Sequence, residues 1–162
     1  MDFAALYSEY VDAVYGYLAF RLRDKEVVED LVQETFLAAH QRLDRLQEVA
    51  SPKAWLLAVA HNKLVDYLRR QQEHLPLQEE NLAAAAGTAP SRLFIQEALA
   101  QLAELERTIV YGLYVEGLTY RELAEMLGLP EGTVKSKAHY ARKRLYYWLQ
   151  EGSSHDLQRR LC

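Results

Sequence analysis

The chain has 162 residues, 50% of them hydrophobic and 26% charged, with a formal net charge of −4. That is enough apolar matter for one ordinary domain or two small ones, and too much for a disordered chain. Seven Gly and four Pro are few for an all-β chain, the longest apolar run (Ala54 to Ala60) is far short of the ~20 residues that cross a bilayer, and the single cysteine, Cys162, leaves no disulfide or cysteine metal site to build.

Apolar side chains at Phe3, Leu6, Tyr7, Tyr10, Val14, Leu18 and Leu22 recur every three to four residues and predict an amphipathic helix over 3–22. Asp2 and Glu9 stand where a signal peptide needs basic and apolar stretches, so the expectation is a cytoplasmic protein with no membrane insertion. Asp24 starts a second helix, with Val28, Leu31, Val32, Thr35, Phe36, Ala39 and Leu43 on its buried stripe. A break follows from Leu46 to Pro52. Ser51 is placed to cap a third helix with Pro52 in its first turn, and the periodicity runs on to about Gln72. Residues 1–73 form a first lobe. Residues 74–90 hold Pro76, Gly87, Pro90 and an alanine run, and read as a linker that spans at most ~55–60 Å when extended.

The second lobe covers 91–150. Ser91 is its first N-cap, opening a helix to about Ala103, and a second helix runs from Glu104 to Glu116, stopped by Gly117. Thr119 and Glu122 make a capping box for a helix ending at Leu127-Gly128. Leu129-Pro130 restarts a long final helix to about Leu149, and 151–162 reads as a loose or short helical tail. The predicted fold class is all-α: two small helical domains joined by a flexible linker, the second carrying a helix-turn-helix.

Charge is segregated along this second lobe. From Thr133 to Trp148 there are five cations (Lys135, Lys137, Arg142, Lys143 and Arg144) and no acid, whereas 97–131 sets seven Glu against Arg107 and Arg121. A negative chain is not expected to bind nucleic acid unaided, yet one of its faces is built for an anion. Residues 119–148 read as helix, glycine turn, helix, the arrangement that sets a second helix in the DNA major groove. On a helical wheel Val134, Ala138, Ala141, Leu145 and Trp148 form one stripe, which must face the core. Ser136, His139, Tyr140 and Lys143 lie opposite, with Lys135 and Arg142 on one flank and Lys137 and Arg144 on the other. The flanks suit the two phosphate walls, while Ser136, His139 and Tyr140 point at base edges. Gly132 keeps the helix entrance slim. A solvated basic helix is the plain alternative, but capping box, glycine turn and cation pattern agree on the DNA reading.

Two faces of the first lobe stand out. Asp30, Gln33, Glu34, Leu37 and Gln41 share the side of the second helix opposite its buried stripe, and an apolar Leu37 within a polar patch suits a protein partner better than water. In the third helix Leu57, Leu64 and Leu68 point inward, while Trp55, Val59, Asn62, Lys63, Asp66, Arg69 and Arg70 gather on the other side. Asn62 can pair with a base, and Lys63, Arg69 and Arg70 can neutralise phosphates. Trp55 either stacks on a base at the edge of melted DNA or packs against the first helix. Asp66 reads as a local ion-pair partner of Arg69 or Arg70. No Gly-rich phosphate loop, nucleophile motif or metal-ligand spacing accompanies His61 and Asp66, so no enzyme activity, cofactor or metal is expected.

Over residues 3–148 the chain resembles a bacterial RNA polymerase sigma factor of the extracytoplasmic-function (ECF) type, the smallest sigma-70 class. The resemblance rests on Glu29-Asp-Leu-Val-Gln-Glu-Thr-Phe36, on Ala54-Trp-Leu with Ala60-His-Asn62 and Asp66-Tyr-Leu-Arg-Arg70, and on Gly117-Leu-Thr-Tyr-Arg-Glu-Leu-Ala124 followed by Gly132-Thr-Val-Lys-Ser136. It implies that 1–73 is sigma region 2, engaging core polymerase and the −10 promoter element, and that 91–150 is region 4, engaging the −35 element. By the same resemblance Asp30, Gln33 and Glu34 meet the polymerase clamp helices, the flap is a second polymerase contact, the linker passes beside the RNA exit path, the loop from Leu46 to Pro52 helps to hold an unstacked base during melting, and an anti-sigma factor is a partner. Three positions depart from the family pattern. His61 stands where Arg often precedes the Asn, and Tyr140 where a cation is common; both bear on base preference. Ala103 replaces a frequent Pro and is expected to merge or straighten two helices. A stand-alone helix-turn-helix transcriptional regulator is the alternative, but it leaves the acidic face and the Asn62 to Arg70 set without a use.

Overall fold

The computed structural model describes residues 2–74 and 97–160, with side chains as far as 73 in the first segment and 151 in the second. Every regular element among the described residues is a helix, and they form two compact units, the first built on 2–74 and the second on 97–124 and 129–160. The linker expected over 74–90, apart from His74, and the Ser91 cap lie outside the described residues.

In the first unit α1 spans Phe3–Ala19, opened by Asp2, whose carboxylate accepts from the Ala5 N–H at 2.7 Å. It stops short of the predicted Leu22 because the Phe20 and Arg21 N–H groups close a turn onto Gly16 and Leu18. Asp24 caps α2 (Lys25–Gln41) by accepting from Glu26 N–H, as its short polar side chain favours. Helix α2 stops short of the predicted Leu43; Leu43–Leu46 forms a separate turn, α3, which carries Leu46 into the core, and the expected break begins at Gln47, one residue late. Ser51 Oγ accepts from Ala54 N–H at 3.2 Å to open α4, Pro52–His74. Helices α1, α2 and α4 each pack on the other two. Leu6, Val14, Leu18, Val28, Phe36, Leu57 and Leu64 fill the space between them, each worth about 1.5–3 kcal/mol when fully buried. Thr35 is buried among them at no polar cost, since its hydroxyl donates to the Leu31 carbonyl one turn back.

In the second unit residues 97–100 are helical and α5 spans Glu104–Tyr114. The two are separate, as the predicted bounds at Ala103 and Glu104 have it, and the merging expected from the absent proline does not occur. The Gln101 and Leu102 N–H groups fold back onto Ala98 and Leu99, and Ala103 sits at φ −59°, ψ 154°, with the φ that a proline would impose. Leu102 is buried and its carbonyl accepts from the Arg107 guanidinium at 3.2 Å, so the break is held by packing and a hydrogen bond instead of by a ring. Gly117 and Gly128 adopt φ of +67° and +66°, the left-handed corners on either side of α6, Tyr120–Leu127. Thr119 Oγ1 accepts from Glu122 N–H at 3.0 Å, one half of the predicted capping box. Helix α7 covers Glu131–Arg160. It runs straight through the region read as a loose or short helical tail, because no proline interrupts the backbone ladder there. Val134, Ala138 and Ala141 are fully buried, and Leu145 and Trp148 half-buried, along the predicted inner stripe. Alanine at two of these positions lets α7 lie close to α5.

Candidate nucleic-acid interface

Ser136, His139, Tyr140 and Lys143 are all exposed on the side of α7 away from its buried stripe. The His139 and Tyr140 rings meet edge-on with centroids 5.6 Å apart. The cations beside them are not equivalent. On one flank Lys135 pairs with Glu131 at 3.4 Å and holds its ammonium 5.8 Å from the centre of the Tyr120 ring. Arg142 donates from Nη1 to the Tyr114 hydroxyl at 3.0 Å and to the Tyr120 hydroxyl at 3.3 Å. These two acceptors, Tyr114 first, push its pKa above an already high value, so it is cationic at any working pH. On the other flank Lys137 is half-buried, and Arg144 donates to Glu106 at 3.1 Å. The Glu106 side chain is only 11% exposed and that of Arg144 58%, so the carboxylate offsets part of a charge that still faces solvent. Sequence reasoning assigned no role to Glu106, Tyr114 or Tyr120; Glu106 falls in the acidic run and Tyr120 in the Gly117–Ala124 motif, and those were the signals that could have found them.

On the first unit Asp30, Gln33, Glu34 and Leu37 are exposed together on α2, Leu37 at 59%. Asn62, Arg69 and Arg70 are exposed on α4, while Trp55 and Lys63 are half-buried. Lys63 reaches Glu34 at 3.8 Å, a bridge between α4 and α2 that ties two sets the sequence treated separately. Asp66 pairs with Arg69 at 3.1 Å, the local pairing expected of it. His61 is more than a departure from a pattern. Its Nδ1 lies 2.7 Å from the hydroxyl of Tyr17, a buried phenol that needs a polar partner. His61 is thus partnered by Tyr17 and Asp66 by Arg69. Among the described residues no group of three or more His, Cys, Asp or Glu is arranged to hold a metal, and no helix is long and apolar enough to cross a membrane.

A helical protein whose second unit presents a polar helix face between cations, behind a glycine turn, belongs to the helix-turn-helix DNA-binding class. The chain matches the family model for Sigma-70 region 2 over residues 6–74 and that for Sigma-70 region 4 over 93–145. It is 35% identical over 156 residues to the ECF RNA polymerase sigma factor SigL of Mycobacterium tuberculosis, covering 91% of this chain and 88% of that protein. It is 28% identical over 153 residues to the ECF sigma factor SigM of Bacillus subtilis, covering 90% and 93%. Its fold is similar to that of the sigma factor RpoE solved with the anti-sigma factor NepR from Bartonella quintana, with a TM-score of 0.74 at 24% identity over 92% of this chain and 97% of that one. The chain belongs to the ECF sigma factors: it binds core RNA polymerase and recognises promoter DNA.

Proposed function

We propose that the two units divide promoter recognition, with 1–73 acting as region 2 on the −10 element and 91–150 acting as region 4 on the −35 element. Asp30, Gln33, Glu34 and Leu37 form the contact with the clamp helices. Asn62 reads a base near the melted edge, Trp55 stacks beside it, and Lys63, Arg69 and Arg70 face phosphates. In region 4, Ser136, His139 and Tyr140 read bases while Lys135, Lys137, Arg142, Lys143 and Arg144 line the phosphate walls. Melting under this reading is a matter of binding, without a catalytic centre: unstacked bases are held more favourably by the protein than by their neighbours. The exposed apolar groove of the second unit, lined by Leu99, Val110, Tyr114, Val115, Leu145 and Leu149, is the surface best suited to the flap. The site of action is the cytoplasm, and an anti-sigma factor holds the chain inactive there, as the partners in the solved relatives suggest.

The observation that carries this reading is the presence of exposed polar and cationic helix faces on both units, with an exposed Leu37 on a third face left for protein. The test is transcription from a library of promoter fragments by core polymerase with and without the chain. The expected result is initiation only with the chain, lost on Asn62→Ala and reduced on Leu37→Asp. Sequence-specific DNA binding with no effect on initiation would instead mark a stand-alone regulator.

A further inference from the structure

The two flanks of the α7 reading face hold their cations by different chemistry. Arg144 is met by a carboxylate, which fixes the side chain but cancels charge. Arg142 is met by two neutral hydroxyls, from the last residue of α5 and the first of α6, which fix the side chain and leave its charge whole. We propose that Tyr114 and Tyr120 are positioning residues for −35 binding: their hydroxyls clasp the Arg142 guanidinium so that it is set in advance against one phosphate wall. This rests on the assignment of Arg142 to that wall.

The hydrogen-bond count supports the clasp. A guanidinium has five N–H donors, and both tyrosine bonds use Nη1. The Nη2 and Nε edge keeps its donors in the side-on geometry that takes two oxygens of one phosphate. A free arginine must give up rotamer freedom to make that contact, whereas a clasped one has given it up on folding. Tyr120 does this for the whole flank, since its ring lies under the Lys135 ammonium while its hydroxyl holds Arg142. Neither tyrosine is needed to fill the core: Tyr114 is 60% exposed and Tyr120 half-buried.

The experiment is a double-mutant cycle on the holoenzyme, formed from the full chain and core polymerase, with a promoter fragment selected by the wild-type holoenzyme as probe. Tyr114→Phe and Tyr120→Phe remove one oxygen each. Each is expected to weaken binding about two- to tenfold, the cost of re-immobilising one long side chain. The slope of log K against log salt should stay put, because no cation has been lost. Arg142→Ala should lower that slope by about 0.9, and in its background the two Phe variants should have no further effect. Relaxation of the Arg142 Nε–H in the unbound chain should report a rigid side chain in wild type and a mobile one in the double Phe variant. If Arg142→Ala leaves binding unchanged, the assignment of Arg142 to a phosphate is wrong. If Arg142→Ala weakens binding but the Phe variants do not, the clasp alone is wrong. Two further results also overturn it: Phe effects that persist without Arg142, which would mean direct hydroxyl contacts, or tighter binding by the Phe variants, which would mean that the clasp withholds the arginine.

Discussion

A cation contributes to phosphate binding in proportion to the charge left on it, so Lys143 and Arg144, neighbours in sequence, should behave differently. Lys143 is exposed on the reading face, whereas Arg144 is bonded to a nearly buried Glu106. Lys143→Ala should cut the salt slope of promoter binding by about 0.9 and leave the unfolding midpoint in urea unchanged. Arg144→Ala should cost about 1–2 kcal/mol of stability, because Glu106 loses its partner in a spot with little water, with the loss limited by the exposure of the arginine end. It should change the salt slope less than Lys143→Ala does. Equal effects of the two changes on both measurements would remove the distinction. The sequence carried half of this. Helical periodicity says which of Ser136, His139, Tyr140 and Lys143 face outward, because that is a property of one helix. It says nothing of Glu106, 38 residues from Arg144, or of Tyr17, 44 residues from His61, because those partners are chosen by how separate helices pack.

At the scale of elements, what was legible was local. Asp24, Ser51 and Thr119 are side chains that bond a backbone N–H two or three residues on, and each caps the helix that its position announces. What was not legible was decided by contacts between helices. The boundary between Ala103 and Glu104 was legible, but what holds it without a proline was not: Leu102 is buried and Arg107 holds its carbonyl. The helix-turn-helix itself depends on two glycines with opposite demands. A Cβ on Gly112 of α5 would lie 2.6 Å from Leu123 Cδ2, so the fully buried Leu123 would have to shift. A Cβ on Gly132, in the first turn of α7, would meet nothing within 4 Å. Gly112→Ala should therefore destabilise the protein, since overpacking costs about 1–3 kcal/mol against a helix-propensity gain of roughly 1 kcal/mol. Gly132→Ala should raise stability by about 0.5–1 kcal/mol while weakening promoter binding, as the added methyl stands where the helix entrance approaches DNA. Thermal unfolding and holoenzyme binding of both variants decide it; a Gly132→Ala variant that binds as wild type means that the entrance is not close to the duplex.

For the molecule as a whole the sign of the charge is the telling quantity. A net charge of −4 sits beside five cations crowded between Thr133 and Trp148, so the long-range field repels DNA while one short surface attracts it. Each unit alone offers few phosphate contacts, and an affinity built on few contacts is weak. Two weak sites on one chain become strong only when something fixes the distance between them, because the second contact then forms at an effective concentration of the order of millimolar. Core polymerase does this under the proposed assignment, in which it is held through the face around Leu37 and leaves the α4 and α7 faces free. The full chain alone should accordingly bind a −10/−35 promoter fragment no more tightly than the ~10⁻⁴–10⁻⁶ M typical of non-specific contacts at physiological salt. Added core polymerase should bring specific binding, and Leu37→Asp should reduce that gain without altering the weak affinity of the free chain. Fluorescence anisotropy of a labelled fragment, with and without core, reads all three values. Tight, sequence-specific binding by the chain alone would mean that the units position themselves, and that the acidic balance has no part in keeping the free factor off promoters.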